Sequence, residues 1–323
     1  TAYEISTRDW SSDVCSSDLQ DRDETIGRHK PFLEIAKYLA SLGMVVLRYD
    51  DRGVGRSTGD FLSATTNNFA DDARAVWQYA RSLEGVDKDR VGLLGHSEGG
   101  IVGPMVAAWQ REVAFLLLIA PPGLTGSEVL SSQLDRIAEL QGVGDASRAA
   151  ARSLQSELQR IALKYPADDE SALTDVRKAV LDRWQGLSGL SEKTDGSIDA
   201  GTIKKQVLEQ ITAQFRGLQS PWMRHFLAYD PSSNWVLFDC PVFAIWGEKD
   251  VQVLPGINRS KLETVVTHNT NLQADFLIIP NLNHLMQTAK TGLPDEYESI
   301  DEAISPVALE AMGLWLRKRE ILP

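Results

Sequence analysis

Residues 95–99 read Gly-His-Ser-Glu-Gly and contain the pattern Gly-x-Ser-x-Gly. A serine hydroxyl is a weak nucleophile unless it is held exposed beside a base, and this pattern does so by bending the chain sharply between a strand and a helix. The surroundings fit, because residues 91–94 resemble a buried strand and residues 99–109 have a helical pattern. We therefore predict that Ser97 is the nucleophile of an acyl-transfer reaction.

The two neighbours of Ser97 are assigned different roles. The main-chain N–H of Glu98 lies at the start of the predicted helix, so we predict that it stabilises the negative charge of acyl transfer as half of an oxyanion hole. The Glu98 carboxylate is interpreted as a solvated or helix-capping group. His96 is interpreted as a buried residue that packs beneath the turn rather than as the base.

An acid and a base follow later in the chain, each after a predicted strand. Asp250 lies in the turn after the apolar strand 241–246, and His284 lies in the loop after the strand 275–279. Because catalytic triads can follow the chain order serine, acid, histidine, we predict that His284 is the base and that Asp250 orients it. A turn-stabilising Asp250 and a surface-loop His284 are the alternatives that the residues leave open.

Strands and helices alternate along much of the chain, which favours an α/β fold with a mostly parallel sheet and helices on both faces. The predicted strands are 44–49, 90–94, 113–120, 241–246 and 275–279. The predicted helices of this part are 31–42, 71–83, 99–109 and 304–318. The catalytic candidates therefore follow strands of one sheet.

Residues 124–235 differ from the rest, because they carry almost no strand pattern and consist of amphipathic helices. We predict that they form a helical cap that can enclose an apolar acyl group. This cap is inserted between two parts of the sheet domain, at 20–123 and 236–323.

Residues 1–19 have no periodicity and repeat Ser-Ser-Asp. We interpret them as a non-native segment or a disordered native tail.

Composition excludes several classes of partner. The formal net charge of −12 and the pI near 5.0 oppose binding to nucleic acid or to anionic lipid. The longest apolar run, 113–120, is far shorter than the roughly 20 residues that span a bilayer. With only Cys15 and Cys240, no Cys-x-x-Cys pattern exists, and we predict no metal site. The compartment and the oligomeric state are not determined by these residues.

A glycine-rich stretch at 50–59 follows a predicted strand and could suggest nucleotide binding. It lacks the third glycine of a dinucleotide-binding pattern and the Gly-Lys-Ser/Thr of a P-loop. We therefore predict no cofactor there, and we interpret Asp50, Asp51 and Arg52 as an ion-paired structural turn.

These segments together resemble the α/β-hydrolase superfamily, in particular bacterial esterases near the serine aminopeptidase-like and dipeptidyl-peptidase-like groups. The resemblance covers the chain from about residue 20 onward and rests on segments 20–24, 29–32, 48–55, 95–100, 246–250 and 283–284. It implies an α/β-hydrolase fold and a serine hydrolase that needs no cofactor.

One departure concerns the segment before residue 20. Proteins of this type carry a glycine-rich loop there that supplies the second oxyanion donor, whereas residues 16–19 of this chain read Ser-Ser-Asp-Leu. The strands that precede that loop in the family also have no counterpart in the sequence. Loss of one oxyanion donor typically costs about 2.7–4 kcal/mol of transition-state stabilisation.

Three functions remain open from the sequence. The first is hydrolysis of small-molecule carboxylic esters by a Ser-His-Asp triad through an acyl-enzyme. The second is an aminopeptidase-like peptidase, in which Asp168, Asp169 and Glu170 bind the amino group of the substrate. The third is an inactive truncated scaffold with a hydrolase fold.

Overall fold

The computed structural model describes residues 21–167, 169–188 and 200–322. It divides the chain into two compact units. The sheet unit comprises the described residues of 21–124 and 230–322, and the helical unit comprises those of 125–229. The predicted non-native or disordered segment 1–19 lies outside the described residues.

The strands of the sheet unit form one parallel sheet in the order β1-β2-β3-β4. Their bounds are β1 Leu93–His96, β2 Leu116–Ile119, β3 Val242–Gly247 and β4 Ala274–Ile279. Every residue of β1, β2 and β3 is buried, which explains their continuous apolar sequences, because a parallel sheet is covered on both faces. Since all strands run the same way, the segments that follow them meet at one edge of the sheet.

Helices account for most of the remaining described residues. In chain order they are α1 Pro31–Ser41, α2 Thr66–Ser82, α3 Gly99–Trp109, α4 Gly126–Leu140, α5 Asp145–Lys164, α6 Ala172–Asp182, α7 Trp184–Ser188, α8 Ala200–Leu218, α9 Pro221–Ala228, α10 Pro255–Val266 and α11 Pro306–Lys318. Helices α4 to α9 belong to the helical unit, and no strand lies among the described residues of that unit. The predicted α/β class is confirmed.

The helical unit is held together by caps and close packing. Thr125 and Glu128 form a capping box at the start of α4, in which the Thr125 N–H donates to Glu128 Oε2 at 2.9 Å. A Cβ on Gly126 would lie 2.2 Å from the carbonyl oxygen of Phe226, so glycine is required where α4 meets α9. Whether this unit acts as a cap remains a prediction.

Three elements differ clearly from their predicted positions, and the first is β1, which occupies Leu93–His96 rather than residues 90–94. Helix α2 begins at Thr66 rather than at residue 71, because the side chain of Asn68 accepts a hydrogen bond from the Thr65 N–H at 2.9 Å and caps the earlier start. Residues 44–49, predicted as a strand, have no sheet partner among the described residues, and Val45 is 46% exposed. A strand depends on the main chain of a neighbour, which the apolar pattern alone does not specify.

The glycine-rich turn after residue 49 is ion-paired, as predicted. Arg22 donates from Nε to Asp50 Oδ1 at 3.0 Å and from Nη2 to Asp50 Oδ2 at 2.6 Å. Arg52 pairs with Asp72 of α2 at 2.7 Å. Gly55 adopts a φ of +54°, and a Cβ there would lie 2.6 Å from Asp50 Oδ2. The hydrogen bonds from Arg22 lower the pKa of Asp50 to about 2.

Helices long and apolar enough to cross a bilayer are absent from the described part of the chain. Cys240 is a free thiol, and burial raises its pKa to about 12. Cys15 lies outside the described residues.

The Asp50–Arg22 pair predicts an acid-sensitive contribution to stability. A carboxyl whose pKa is lowered on folding stabilises the native state above its unfolded pKa of about 4, and that contribution is lost as the pH falls towards the folded pKa. Allowing for the partial exposure of Arg22, we expect the free energy of unfolding of the wild type to fall by about 1–2 kcal/mol more than that of Asp50→Asn between about pH 4 and pH 2.

Urea unfolding at stepped pH measures this difference. Asp89→Asn is the matched control, because Asp89 is an exposed surface residue, and it should follow the wild-type pH dependence. Equal pH slopes for Asp50→Asn and the wild type would contradict the assignment.

Candidate active site

A sharp turn joins the carboxyl end of β1 to α3. Ser97 lies in this turn with a φ of +52°, in the left-handed region that residues with a Cβ rarely adopt. Its N–H donates to the carbonyl oxygen of Ile119 in β2 at 2.9 Å, which ties the turn to the sheet. A Cβ on Gly95 would lie 2.2 Å from the carbonyl oxygen of Gly99, so the first glycine of the pattern Gly-x-Ser-x-Gly is required by space. This geometry is that of a nucleophile elbow.

Glu98 is placed at the start of α3, but its side chain is not where the sequence predicted it. The carboxylate is buried, with the residue 2% exposed, and its Oε1 accepts a hydrogen bond from Thr66 Oγ1 at 2.7 Å. The predicted solvated or capping carboxylate is therefore wrong. The reason is the early start of α2, whose first residue, Thr66, reaches the turn.

Asp250 and His284 form a fully buried hydrogen-bonded pair. The ring N–H at His284 Nδ1 donates to Asp250 Oδ2 at 2.8 Å, and both side chains are 0% exposed. Asp250 Oδ1 accepts from the main-chain N–H groups of Gln252 at 2.8 Å and Val253 at 2.9 Å. Each carboxylate oxygen thus has its own donors, so the carboxylate holds a single orientation towards the imidazole.

The elbow and the Asp250–His284 pair lie at the same edge of the sheet. Ser97 follows β1, Asp250 follows β3 and His284 follows β4, and the strands are parallel. His96, next to Ser97 in the chain, brings the two parts into contact. Its ring centroid is 4.6 Å from that of His284, and its Nε2 is 3.0 Å from the His284 carbonyl oxygen.

Glu24 is a residue of this site that no motif in the sequence indicates. It is 1% exposed, has a φ of +50°, and its Oε1 lies 2.8 Å from His96 Nδ1. His96 is buried, as predicted. The only sign of Glu24 in the sequence is its place in the polar segment 20–24, whose composition is more typical of an exposed loop.

The acidic residues considered for binding an amino group lie in the helical unit. Asp169 accepts hydrogen bonds from the N–H and Oγ of Ser171, which lower the pKa of its carboxyl, and it caps a local turn. The Glu170 side chain is 79% exposed. Asp168 and the segment 16–19, where the second oxyanion donor was expected, lie outside the described residues.

Within the described ranges, no cluster of three or more His, Cys, Asp and Glu side chains is arranged to hold a metal ion.

Parts of the chain are similar in sequence to known hydrolases. Residues 25–175 match the family described as serine aminopeptidase, S33. Esterase EstD of Thermotoga maritima is 34% identical over 134 residues, which are 42% of this chain and 31% of that esterase. The chain therefore spans about a third of the length of this curated relative.

Similar folds occur among solved structures. A complex of DcsB with its substrate analogue has a TM-score of 0.52 at 19% identity and covers 98% of this chain and 90% of DcsB. The esterase Pf2001 of Pyrococcus furiosus has a TM-score of 0.50 at 13% identity, with 98% and 81% covered. The α/β hydrolase GrgF of Penicillium sp. sh18 has a TM-score of 0.50 at 14% identity, with 99% and 88% covered.

The parallel sheet, the elbow after β1 and these similarities define the class of the protein. The chain has an α/β-hydrolase fold, and its residues 25–175 are similar to the family described as serine aminopeptidase, S33.

The buried contact between Thr66 and Glu98 can be tested by stability. Thr66→Val keeps the shape of a fully buried side chain and removes the donor to a buried carboxylate, so we expect the free energy of unfolding to fall by about 1.5–3 kcal/mol. Urea unfolding at neutral pH measures the loss.

The matched control is Thr264→Val, in which an exposed hydroxyl of α10 is removed. It should change stability by less than about 0.5 kcal/mol. A loss as small as this for Thr66→Val would show that the contact with Glu98 contributes nothing.

Proposed function

We propose that this protein hydrolyses carboxylic esters of small molecules, with Ser97 as nucleophile, His284 as base and Asp250 as the acid that orients the base. The observation that carries the proposal is the buried pair of His284 and Asp250 at 2.8 Å, on the sheet edge where the elbow presents Ser97. The similarity to an esterase over 134 residues supports an ester as the substrate.

The first half of the reaction forms an acyl-enzyme. Asp250 keeps the proton on Nδ1 of His284, which leaves the Nε2 lone pair to accept the proton of the Ser97 hydroxyl. The Ser97 oxygen then attacks the ester carbonyl, and the resulting imidazolium is stabilised by the Asp250 carboxylate. His284 returns the proton to the leaving alcohol as the carbon–oxygen bond to it breaks.

The second half releases the acid. His284 removes a proton from water, the resulting hydroxide attacks the acyl carbon, and the proton passes to the Ser97 oxygen as the ester bond to it breaks. The N–H of Glu98, at the amino end of α3, stabilises the oxyanion in both halves.

A peptide substrate is the second candidate, because residues 25–175 match a family described as serine aminopeptidase. The same serine and histidine can cleave an amide bond, which differs in its poorer leaving group. Comparing the kcat/KM values for p-nitrophenyl esters and for aminoacyl p-nitroanilides separates the two. We expect the esters to be preferred, and higher values for the anilides would replace the proposal with the peptidase.

Replacement of the nucleophile tests the central assignment. A fluorophosphonate probe should label the wild type and Ser41→Ala, whose hydroxyl lies on the exposed end of α1, and should not label Ser97→Ala. Mass spectrometry of the labelled peptide identifies the modified residue. Labelling that persists in Ser97→Ala would contradict the assignment, and a wild type that neither labels nor hydrolyses any ester would favour an inactive scaffold.

Asp250→Asn tests the orienting acid. An amide at this position favours the wrong tautomer of His284, so we expect kcat to fall by about 10³- to 10⁴-fold with a small change in KM. Steady-state kinetics with a p-nitrophenyl ester measures the effect. Asp239→Asn is the control, since Asp239 lies half-exposed at the surface. A comparable loss of kcat in that variant would show that the loss in Asp250→Asn does not depend on the orientation of His284.

A further inference from the structure

A second histidine–carboxylate pair lies directly behind the Asp250–His284 pair. His96 Nδ1 is 2.8 Å from Glu24 Oε1, and His96 Nε2 is 3.0 Å from the carbonyl oxygen of His284. The side chains of His96 and Glu24 are 4% and 1% exposed. These contacts join segments that are 72 and 188 residues apart in the chain.

Both ring nitrogens of His96 face oxygen atoms, which determines how many protons the pair holds. A carbonyl oxygen only accepts, so His96 Nε2 must carry a hydrogen to bond with His284. The contact between Nδ1 and Glu24 Oε1 needs a second proton, on either the ring or the carboxyl group. The pair therefore carries one proton more than a neutral imidazole and a carboxylate would, and its net charge is zero.

Loss of that proton would disrupt one of the two contacts. A neutral imidazole has a single N–H, so either the His284 carbonyl or the Glu24 carboxylate would face a lone pair of the ring. Apart from Glu24 and His96, the walls of the small cavity beside the pair are apolar and include Phe32, Ile35 and Met286. In such surroundings an unpaired polar group is costly, which favours the doubly bonded arrangement.

Glu24 adopts an unfavourable backbone conformation to make this contact. Its φ of +50° lies in the left-handed region, which is unfavourable for a residue with a side chain and persists only where the surroundings enforce it. Such strain is concentrated at functional sites.

We propose that Glu24 and His96 form a positioning pair, which holds one proton between its side chains and uses the Nε2–H of His96 to fix the main chain of His284. The base then has two attachments, Asp250 on its ring and His96 on its carbonyl oxygen. His96 and Glu24 act through His284 and do not touch the substrate. This inference rests on the proposed role of His284 as base.

Glu24→Gln tests whether the pair needs the negative charge of the Glu24 carboxylate or only a hydrogen bond to Nδ1 of His96. The amide group of glutamine can donate to Nδ1 of neutral His96, whose Nε2–H still reaches the His284 carbonyl. We expect kcat within about 3-fold of the wild type for an ester substrate. Glu24→Leu and His96→Leu remove that support and should each lower kcat by about 10-fold or more, with KM within about 2-fold.

The double variant Glu24→Leu/His96→Leu shows whether the two residues act as one unit. Each single change already breaks the same chain of contacts. The kcat of the double variant should therefore be no more than about 3-fold below that of the less active single variant. Multiplied losses would show that the residues act independently and would overturn the proposal. Glu34→Gln, an exposed carboxylate on α1, is the matched control and should leave kcat unchanged.

The protonation of His96 can be measured without any substrate. The chain has five histidines, so ¹⁵N-histidine spectra can be assigned with one variant per residue. We expect Nε2 of His96 to be protonated in the folded wild type and in Glu24→Gln. A wild-type spectrum with hydrogen on Nδ1 only would overturn the proposal, whereas loss of ester hydrolysis with the expected spectrum would count against the proposed function alone.

Discussion

The main chain of residues 95–99 comes so close to itself that glycine is required at position 95, and the candidate site is arranged around this constraint. A Cβ on Gly95 would collide with the carbonyl oxygen of Gly99, and Ser97 itself adopts a φ of +52°. The strain is held because β1 lies in a buried sheet on one side and α3 begins on the other. The parallel direction of the strands then brings the segments after β3 and β4 to the same edge.

Burial of ionisable groups is the second feature of the site. Glu24, His96, Glu98, Asp250 and His284 are all nearly inaccessible to water, and transferring such groups from water is costly unless each finds hydrogen bonds. The structure supplies them from Thr66, from the N–H groups of Gln252 and Val253, and between the histidines and carboxylates themselves. Preorganised contacts of this kind hold a reacting group in one orientation, and they need not rearrange during the reaction.

Much of the fold could be predicted from local patterns. Helix α3 occupies residues 99–109 as predicted, and the ion-paired turn after residue 49 is confirmed. The start of α2 differs from the predicted one because Asn68, rather than an apolar stripe, decides where that helix begins. The apolar residues of segment 44–49 predict a strand, although a strand also needs a partner, and none pairs with this segment among the described residues. The predicted roles of Ser97, Asp250 and His284 remain proposals, and the structure adds a hydrogen bond of 2.8 Å between the last two.

The sequence by itself determined the turn and the order of the candidate residues, because glycine spacing, apolar periodicity and chain order are written in neighbouring positions. Only the tertiary structure decided that Glu98 is buried against Thr66, and that Glu24 lies beside His96. These partners are distant in the chain, and both glutamates occur in polar segments that look exposed when read alone. Their burial follows from how separate elements pack together, and no local pattern records that packing.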